Sequence, residues 1–253
     1  MKKILLTVLP LLVFTLLWGQ QKDRIETDRP NETEVPYTVP KKFFQIEAGV
    51  YHEKTSQARE ITNHPHLLLK YGLSKQLELR VQANLSTVKD LYFQKHRTTT
   101  GLEPLELGIK GVLWGEMSWV PRTSLLLQTG IPTLASGDFK GEHFAPEIRL
   151  LMENDISDAF SLNYNVGAEW DGEQKNPTWL YTFSPGLDIG KRWHAFAEIF
   201  GFFNKHEEAN HTLDGGIEYF VNKNFAVDVC SGFGLNKGAP HFFITAGGSV
   251  RFK

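Results

Sequence analysis

The chain has 253 residues, 27 Lys+Arg against 29 Asp+Glu, a formal net charge of −2 and 41% hydrophobic residues. That balance gives no basic surface to recommend nucleic acid as a partner. The single cysteine, Cys230, allows no internal disulfide, so an exported chain of this kind is stabilised by something other than staples. Cys230 itself reads as a small residue packed inside a strand.

At the amino terminus Lys2 and Lys3 precede the apolar run ILLTVLPLLVFTLLW, which stops at Gly19-Gln20 before the charged QKDRIETDRP. This is the layout of a secretory signal peptide over residues 1–19. The run has 15 residues and contains Pro10, short of the roughly 20 apolar residues of a spanning helix. No later segment reaches about 18 uncharged apolar residues, which excludes a helical membrane protein. Losing Lys2 and Lys3 takes the formal charge from −2 to −4, a mildly acidic mature chain.

Residues 20–42 are polar and carry Pro30, Pro36 and Pro40. Proline at this density favours extended backbone outside any strand ladder.

From residue 43 onward the pattern changes to period two, the signature of strands. Between 193 and 201, Trp193, Ala195, Ala197, Ile199 and Gly201 share one face, and His194, Phe196, Glu198 and Phe200 the other. Such segments lie near 43–52, 61–71, 77–86, 104–114, 121–131, 145–153, 160–170, 177–189, 193–203, 211–221, 225–235 and 240–252, about 12 in all. Each is close to the 9–11 residues that cross a bilayer at a tilt. Connections alternate between short (GLSKQ, GEMSWV, NDISDA, GKR, NKN) and generally longer (53–60, 87–103, 132–144, 171–176, 204–210). The expected fold is therefore an all-β, transmembrane antiparallel barrel over residues 43–253, with short periplasmic turns and longer extracellular loops. Parity is irregular near Trp114 and in 61–66, where bulges are expected.

In lipid, a closed barrel needs apolar side chains only on its outer face. The outward set comprises Leu77, Leu79, Val81, Ala83 and Leu85; Leu162, Tyr164, Val166, Ala168 and Trp170; Trp179, Tyr181, Phe183, Leu187 and Ile189; and Phe225, Val227 and Val229. Tyr71, Trp193, Tyr219, Phe225 and Phe252 sit beside short turns or the carboxyl terminus, and Trp170 and Trp179 beside long loops, the positions of two aromatic girdles.

ETDRPNETEVPYTVPKKFFQIEAGV (26–50), LDGGIEYFVNKNFAVDVCSGFGLN and FFITAGGSVRF resemble the outer-membrane transporter-like barrels grouped as phenol-degradation meta-pathway proteins. The likeness covers nearly the whole mature chain. It is most specific at Thr27-Asp28-Arg29-Pro30, Thr33-Glu34, Val39-Pro40 and Gln45-Ile46-Glu47. It implies an outer-membrane barrel that transports small, including aromatic, molecules. Barrels of this type end on an aromatic residue, whereas here Phe252 is followed by Lys253.

The inward parity gives Glu47, Glu78, Glu106, Glu147, Glu153, Glu169, Asp188, Glu198, Asp214, Glu218 and Asp228 against Lys70, Arg80, Lys110, Arg149 and Arg251. Carboxylates in such excess favour cations or neutral solutes if water fills the lumen; the alternative is a charge network that fills it. The segment before the first strand has two corresponding placements. It is a periplasmic tail, or it folds into the lumen as a plug, with Arg24 and Arg29 docking on acidic wall residues and Asp28 beside them.

Most histidines (His52, His64, His66, His96, His143, His206, His211, His241) lie in or next to the long loops. His64 and His66 would share a face of an extended segment, a spacing open to a divalent metal, although Pro65 disturbs it. A lipid hydrolase needs Ser, His and an orienting group together. Ser124, Ser161, Ser184 and Ser231 are scattered, none in a G-x-S-x-G elbow, and His194 reads as a girdle or lumen residue. No enzyme and no cofactor is expected. The expected partners are outer-membrane lipid, a small-molecule solute and the barrel assembly machinery, and the expected function is a transporter or channel. The rival readings are a structural or loop-binding barrel with a filled lumen and an outer-membrane lipid hydrolase.

Overall fold

The computed structural model describes residues 23–55, 58–90, 97–205 and 207–253; the expected signal peptide, His96 and His206 lie outside them. Among the described residues no helix is long and apolar enough to cross a membrane. The strands are β1 (Phe44–Lys54), β2 (Arg59–Gly72), β3 (Leu77–Asp90), β4 (Arg97–Leu102), β5 (Leu105–Trp114), β6 (Arg122–Ile131), β7 (Ala145–Asp155), β8 (Phe160–Glu169), β9 (Thr178–Ile189), β10 (Trp193–Phe203), β11 (Asn210–Asn222), β12 (Phe225–Gly234) and β13 (Phe242–Phe252).

Every neighbouring pair is antiparallel, and β1 joins β13 in the register Phe44↔Phe252, which closes the sheet. Strands β4 and β5 lie end to end on β3, the first against Leu85–Asp90 and the second against Leu77–Gln82. They form one stave interrupted at Glu103-Pro104, where proline lacks the N–H a ladder requires. The result is a closed barrel of twelve staves with no exposed sheet edge, the condition for β-structure in lipid.

The faces alternate as the period-two reading requires. In β12, Phe225, Val227 and Val229 are exposed, whereas Ala226, Asp228 and Cys230 are buried. Outward residues such as Val166 (47% exposed), Phe183 (43%) and Leu187 (45%) form the apolar band. The two places of irregular parity are register shifts at Asn63/His66 and Val112/Trp114, and further shifts occur at Gly49/Tyr51 and Phe220/Asn222.

One expectation needs correction. Residues 87–103 are not a long loop: the end of β3 pairs with β4 there, with Thr87 opposite Thr100 and Lys89 opposite Thr98. The hairpin escaped the pattern because its side chains are polar on both faces. Threonine nonetheless favours strands, and a Thr–Thr pair supports them across the ladder.

Candidate functional site: the barrel lumen

Residues 23–42 form no ladder with the barrel, yet they hydrogen-bond to every stave. Asp28 takes the wall ammonium groups of Lys70 on β2 and Lys110 on β5, and its backbone N–H donates to Glu47 on β1. Arg80 on β3 donates to Glu34, Ser124 on β6 to the Pro36 carbonyl, and Arg149 on β7 to the Glu32 carbonyl. Asn165 on β8 accepts from Glu34 N–H, Thr182 on β9 and Glu198 on β10 engage Thr33, and Glu218 on β11 accepts from the Thr27 hydroxyl. Arg29 reaches Asp228 on β12 and Thr245 on β13. A segment that touches all staves of a closed barrel lies inside it.

The charges interlock in both directions. Lys110 Nζ sits 2.8 and 2.9 Å from the two Asp28 oxygens, and Lys70 Nζ 2.9 Å from one of them. Burial alone would raise the Asp28 carboxyl; Lys110, Lys70 and Arg80 overcome it and hold that carboxyl well below the usual carboxylate range. Arg80 forks onto Glu34, and Arg149 pairs with Glu32 at 3.1 Å and with Glu147 at 2.6 Å. Arg80 and Lys110 are thus neutralised by acids of the segment, whereas Lys70 divides between Asp28 and the wall acid Glu47, and Arg149 between Glu32 and the wall acid Glu147.

The wall acids draw on the segment's backbone as well, even where, as at Glu47, a wall cation already pairs with them. Glu47 accepts the backbone N–H groups of Asp28 and Arg29, each at 3.0 Å; Glu78 accepts that of Val39 at 2.8 Å; and Glu198 accepts those of Glu32 (3.0 Å) and Thr33 (2.6 Å). Backbone outside a ladder has free N–H donors, and buried carboxylates need donors. Glu153 accepts from Tyr37 Oη at 2.6 Å.

Arg24 pairs with Asp188 at 2.9 Å and stacks over the Phe220 ring at 4.4 Å. Arg29 pairs with Asp228 at 2.9 Å and is almost fully buried. Its guanidinium occupies a slot made by Gly49 and Gly247, opposite each other across the β1–β13 seam. A Cβ at either glycine would come within 2.4 or 2.6 Å of Arg29 Nη2. Arg251 does not face a wall acid; it donates to the carbonyls of Asp23, Arg24 and Lys223 and to Asn224 at the periplasmic end.

Glu106, Glu147 and Glu169 lie toward the extracellular mouth, with Gln128 donating to Glu106 and Glu147. Above the segment is a cavity of about 270 Å³ whose walls include Arg29, Glu32, Tyr51, Phe200, Asp214 and Phe243. On the outer surface Trp193 packs on Tyr219 (4.6 Å between centroids), and Phe44 bridges Tyr71 (4.6 Å) and Phe252 (6.0 Å) at the periplasmic rim. Phe225 is exposed at the same rim and Trp179 at the opposite one, with Trp170 just beyond β8.

His64 and His66 do not share a face. The bulge that includes Pro65 turns His64 to Thr87 and His66 inward to Arg29, which separates the two imidazoles. Among the described residues there is no group of three or more His, Cys, Asp or Glu able to hold a metal ion. His194 hydrogen-bonds Asp188 at 2.8 Å, and among the described residues no serine hydroxyl is bonded to a histidine.

Sequence reasoning missed Glu32, Thr33, Glu34 and Tyr37, which lie in the very stretch that carries the family likeness. It also left Tyr51 and Phe243 unassigned. Their signal was inward parity of an aromatic residue in a lumen otherwise rich in charge.

Fold and lumen together define an outer-membrane β-barrel with its own amino-terminal segment inside. The chain belongs to the family described as "Putative MetA-pathway of phenol degradation", whose model matches residues 27–252. No curated protein matches it. Among solved structures it is similar to the COG4313 outer membrane channel from Pseudomonas putida F1, with TM-score 0.69 and 11% identity over 90% of this chain and 100% of that one. It is also similar to the KdgM porin, with TM-score 0.53 and 12% identity over 82% of this chain and 99% of that one. The transport unit of the autotransporter AIDA-I from Escherichia coli follows the same fold, with TM-score 0.52 and 11% identity over 90% and 93% of the two chains. At such identities the likeness is one of fold.

Proposed function

We propose that the protein is a channel for small molecules of the outer membrane, closed at rest by its own residues 20–42. In this reading residues 1–19 are a signal peptide removed on export, and residues 43–253 are the conduit. The observation that carries the proposal is the set of hydrogen bonds from one strand-free segment to all twelve staves. Polar side chains and amides of that segment occupy the space a solute would cross, so passage requires it to move. The segment is held by ion pairs and hydrogen bonds, not by a ladder continuous with the wall, so it can leave without opening the barrel.

The cavity above it has aromatic walls in Tyr51, Phe200 and Phe243 beside the acids Glu53 and Asp214, which suit a solute with an aromatic or otherwise apolar body and a hydrogen-bond-donating or cationic head. The family's link to phenol degradation agrees with such a solute. The experiment is single-channel recording in planar bilayers of the mature chain beside a chain lacking residues 20–40. The shortened chain is expected to conduct in long-lived steps. If neither chain conducts, the barrel is a filled structural one instead.

A further inference from the structure

We propose that the cavity above the amino-terminal segment binds a small organic cation, an alkylated ammonium group, through an aromatic cage and the carboxylate of Asp214. The proposal deepens the channel reading and rests on it for a route of entry from outside.

The cage is built by three inward positions on neighbouring parts of the wall. Tyr51 and Phe243 stack at 5.6 Å between centroids, and Phe200 meets Phe243 at 6.4 Å and an interplanar angle of 55°. All three line the cavity, so an ammonium group there meets aromatic surface that attracts cations. Gly232 makes the juxtaposition possible. A Cβ there would fall 2.5 Å from Asp214 Cβ and 2.6 Å from Phe243 Cε1, so only glycine lets the carboxylate and the ring lie side by side.

Asp214 is 7% exposed, lines the cavity, and has one carboxylate oxygen, Oδ1, without a hydrogen-bond partner among the described residues. Its neighbour across the ladder is another acid, Glu198, which accepts from Thr33 and the Glu32 N–H and shares a hydrogen bond with Asp214; Cys230 bonds Asp214 as well, so Oδ1 is the oxygen left over. A second acid of the cavity, Glu53, accepts from Tyr51 Oη at 2.6 Å and has no ion-pair partner among the described residues. Among the described lining residues Arg29 is the one Lys or Arg, and it is committed to Asp228 and Thr245. Two carboxyls joined by a hydrogen bond share one proton, so the cavity carries the single negative charge of the Asp214–Glu198 pair, together with Glu53, beside apolar rings. A neutral hydrocarbon would leave Asp214 Oδ1 buried without a partner, which is costly. An anion would be repelled. A bare divalent metal would find too few ligands and the wrong kind. An ammonium group bearing methyl or methylene carbons satisfies ring faces and carboxylate together.

The test uses choline and its uncharged isostere 3,3-dimethylbutan-1-ol, titrated by calorimetry into the refolded full mature chain in detergent micelles. Saturable one-site binding of choline is expected, with the alcohol weaker by at least about tenfold. Asp214→Asn should weaken choline by a similar factor and leave the alcohol unchanged. Equal affinity for the two probes, no saturable choline binding, or an Asp214→Asn chain that binds choline as before would overturn the proposal. If Asp214→Asn does not refold, Glu53→Gln and Phe200→Leu replace it; each is expected to weaken choline, and unchanged binding in both overturns the site. Current is recorded separately. Choline binding by a chain that stays silent even without residues 20–40 supports the site and removes only the channel reading.

Discussion

Lys110 holds Asp28 by both carboxylate oxygens, 2.8 and 2.9 Å from its ammonium nitrogen, at the centre of a barrel where neither side chain meets water. Asp28 also receives Lys70 and lies 3.7 Å from Arg80. Removing the acid leaves Lys110 with only Glu34, at 3.5 Å, and Lys70 with only Glu47 as counter-charge, a loss of up to about 3–5 kcal/mol for broken buried pairs. Asp28→Asn should therefore release the segment while the barrel stays closed. A cysteine placed at Asn31 would become reactive to a maleimide in Asp28→Asn at least about tenfold faster than in the parent. Adding Lys110→Met should recover part of that protection, because the pair is then removed together.

The Arg29 slot gives a second prediction. Gly49→Ala or Gly247→Ala places a methyl group within 2.4 or 2.6 Å of the guanidinium, and the side chain must leave Asp228. The same methyl would lie 2.6 Å from the Ala246 carbonyl oxygen (Gly49→Ala) or 2.4 Å from that of Ala48 (Gly247→Ala), so the β1–β13 seam must give as well; in whichever variant still folds to a barrel, the segment should be cleaved by added protease at concentrations that spare the parent. Protection equal to that of the parent would mean that Arg29 does not anchor it.

How much of this was legible in the sequence differs between wall and lumen. The wall follows from side-chain parity, which lipid enforces: Val227 and Val229 outward with Asp228 inward needs no tertiary knowledge. The β3–β4 hairpin was not legible because both of its faces are polar. In the lumen, docking of Arg24 and Arg29 on acids was readable as charge complementarity with an acidic wall. The reverse pairing, in which Asp28, Glu32 and Glu34 serve Lys70, Arg80, Lys110 and Arg149, was not. Those acids sit in a proline-containing stretch indistinguishable from a solvated tail. The donors that satisfy Glu47, Glu78 and Glu198 are backbone amides, which no side-chain pattern displays.

Acidity should tighten the segment through Glu32. Burial pushes its carboxyl up to about 7 against the pull of Arg149, with Glu198 and Glu147 adding to the rise; Asp214 and Glu169 are further acids within electrostatic reach. A carboxyl raised above its ordinary value of 4.5 stabilises the docked state fully below that value and loses its contribution as pH climbs through 7. A third of this side chain is exposed, so solvent moderates the effect. The fraction of time spent conducting should rise between about pH 5 and 8, and Glu32→Gln should flatten that dependence.

The lipid face makes its own prediction. Val166 is 47% exposed at the middle of its stave, and arginine there should destabilise the barrel in liposomes by about 2–4 kcal/mol, read from urea unfolding by tryptophan fluorescence. A soluble double-layer β protein would accept the same change almost without cost.

The central claim, that the amino-terminal segment is a movable closure, is tested most directly by tying it down. Thr33 and Thr182 hydroxyls lie 2.7 Å apart, one on the segment and one on β9. In a chain with Cys230→Ala, the pair Thr33→Cys and Thr182→Cys should form a disulfide, and single-channel current should be recorded before and after reduction, beside a chain lacking residues 20–40. The account predicts silence when oxidised, transient openings when reduced and sustained steps in the shortened chain. Equal current in the oxidised and reduced states, matched by the shortened chain, would place the solute path elsewhere and contradict it.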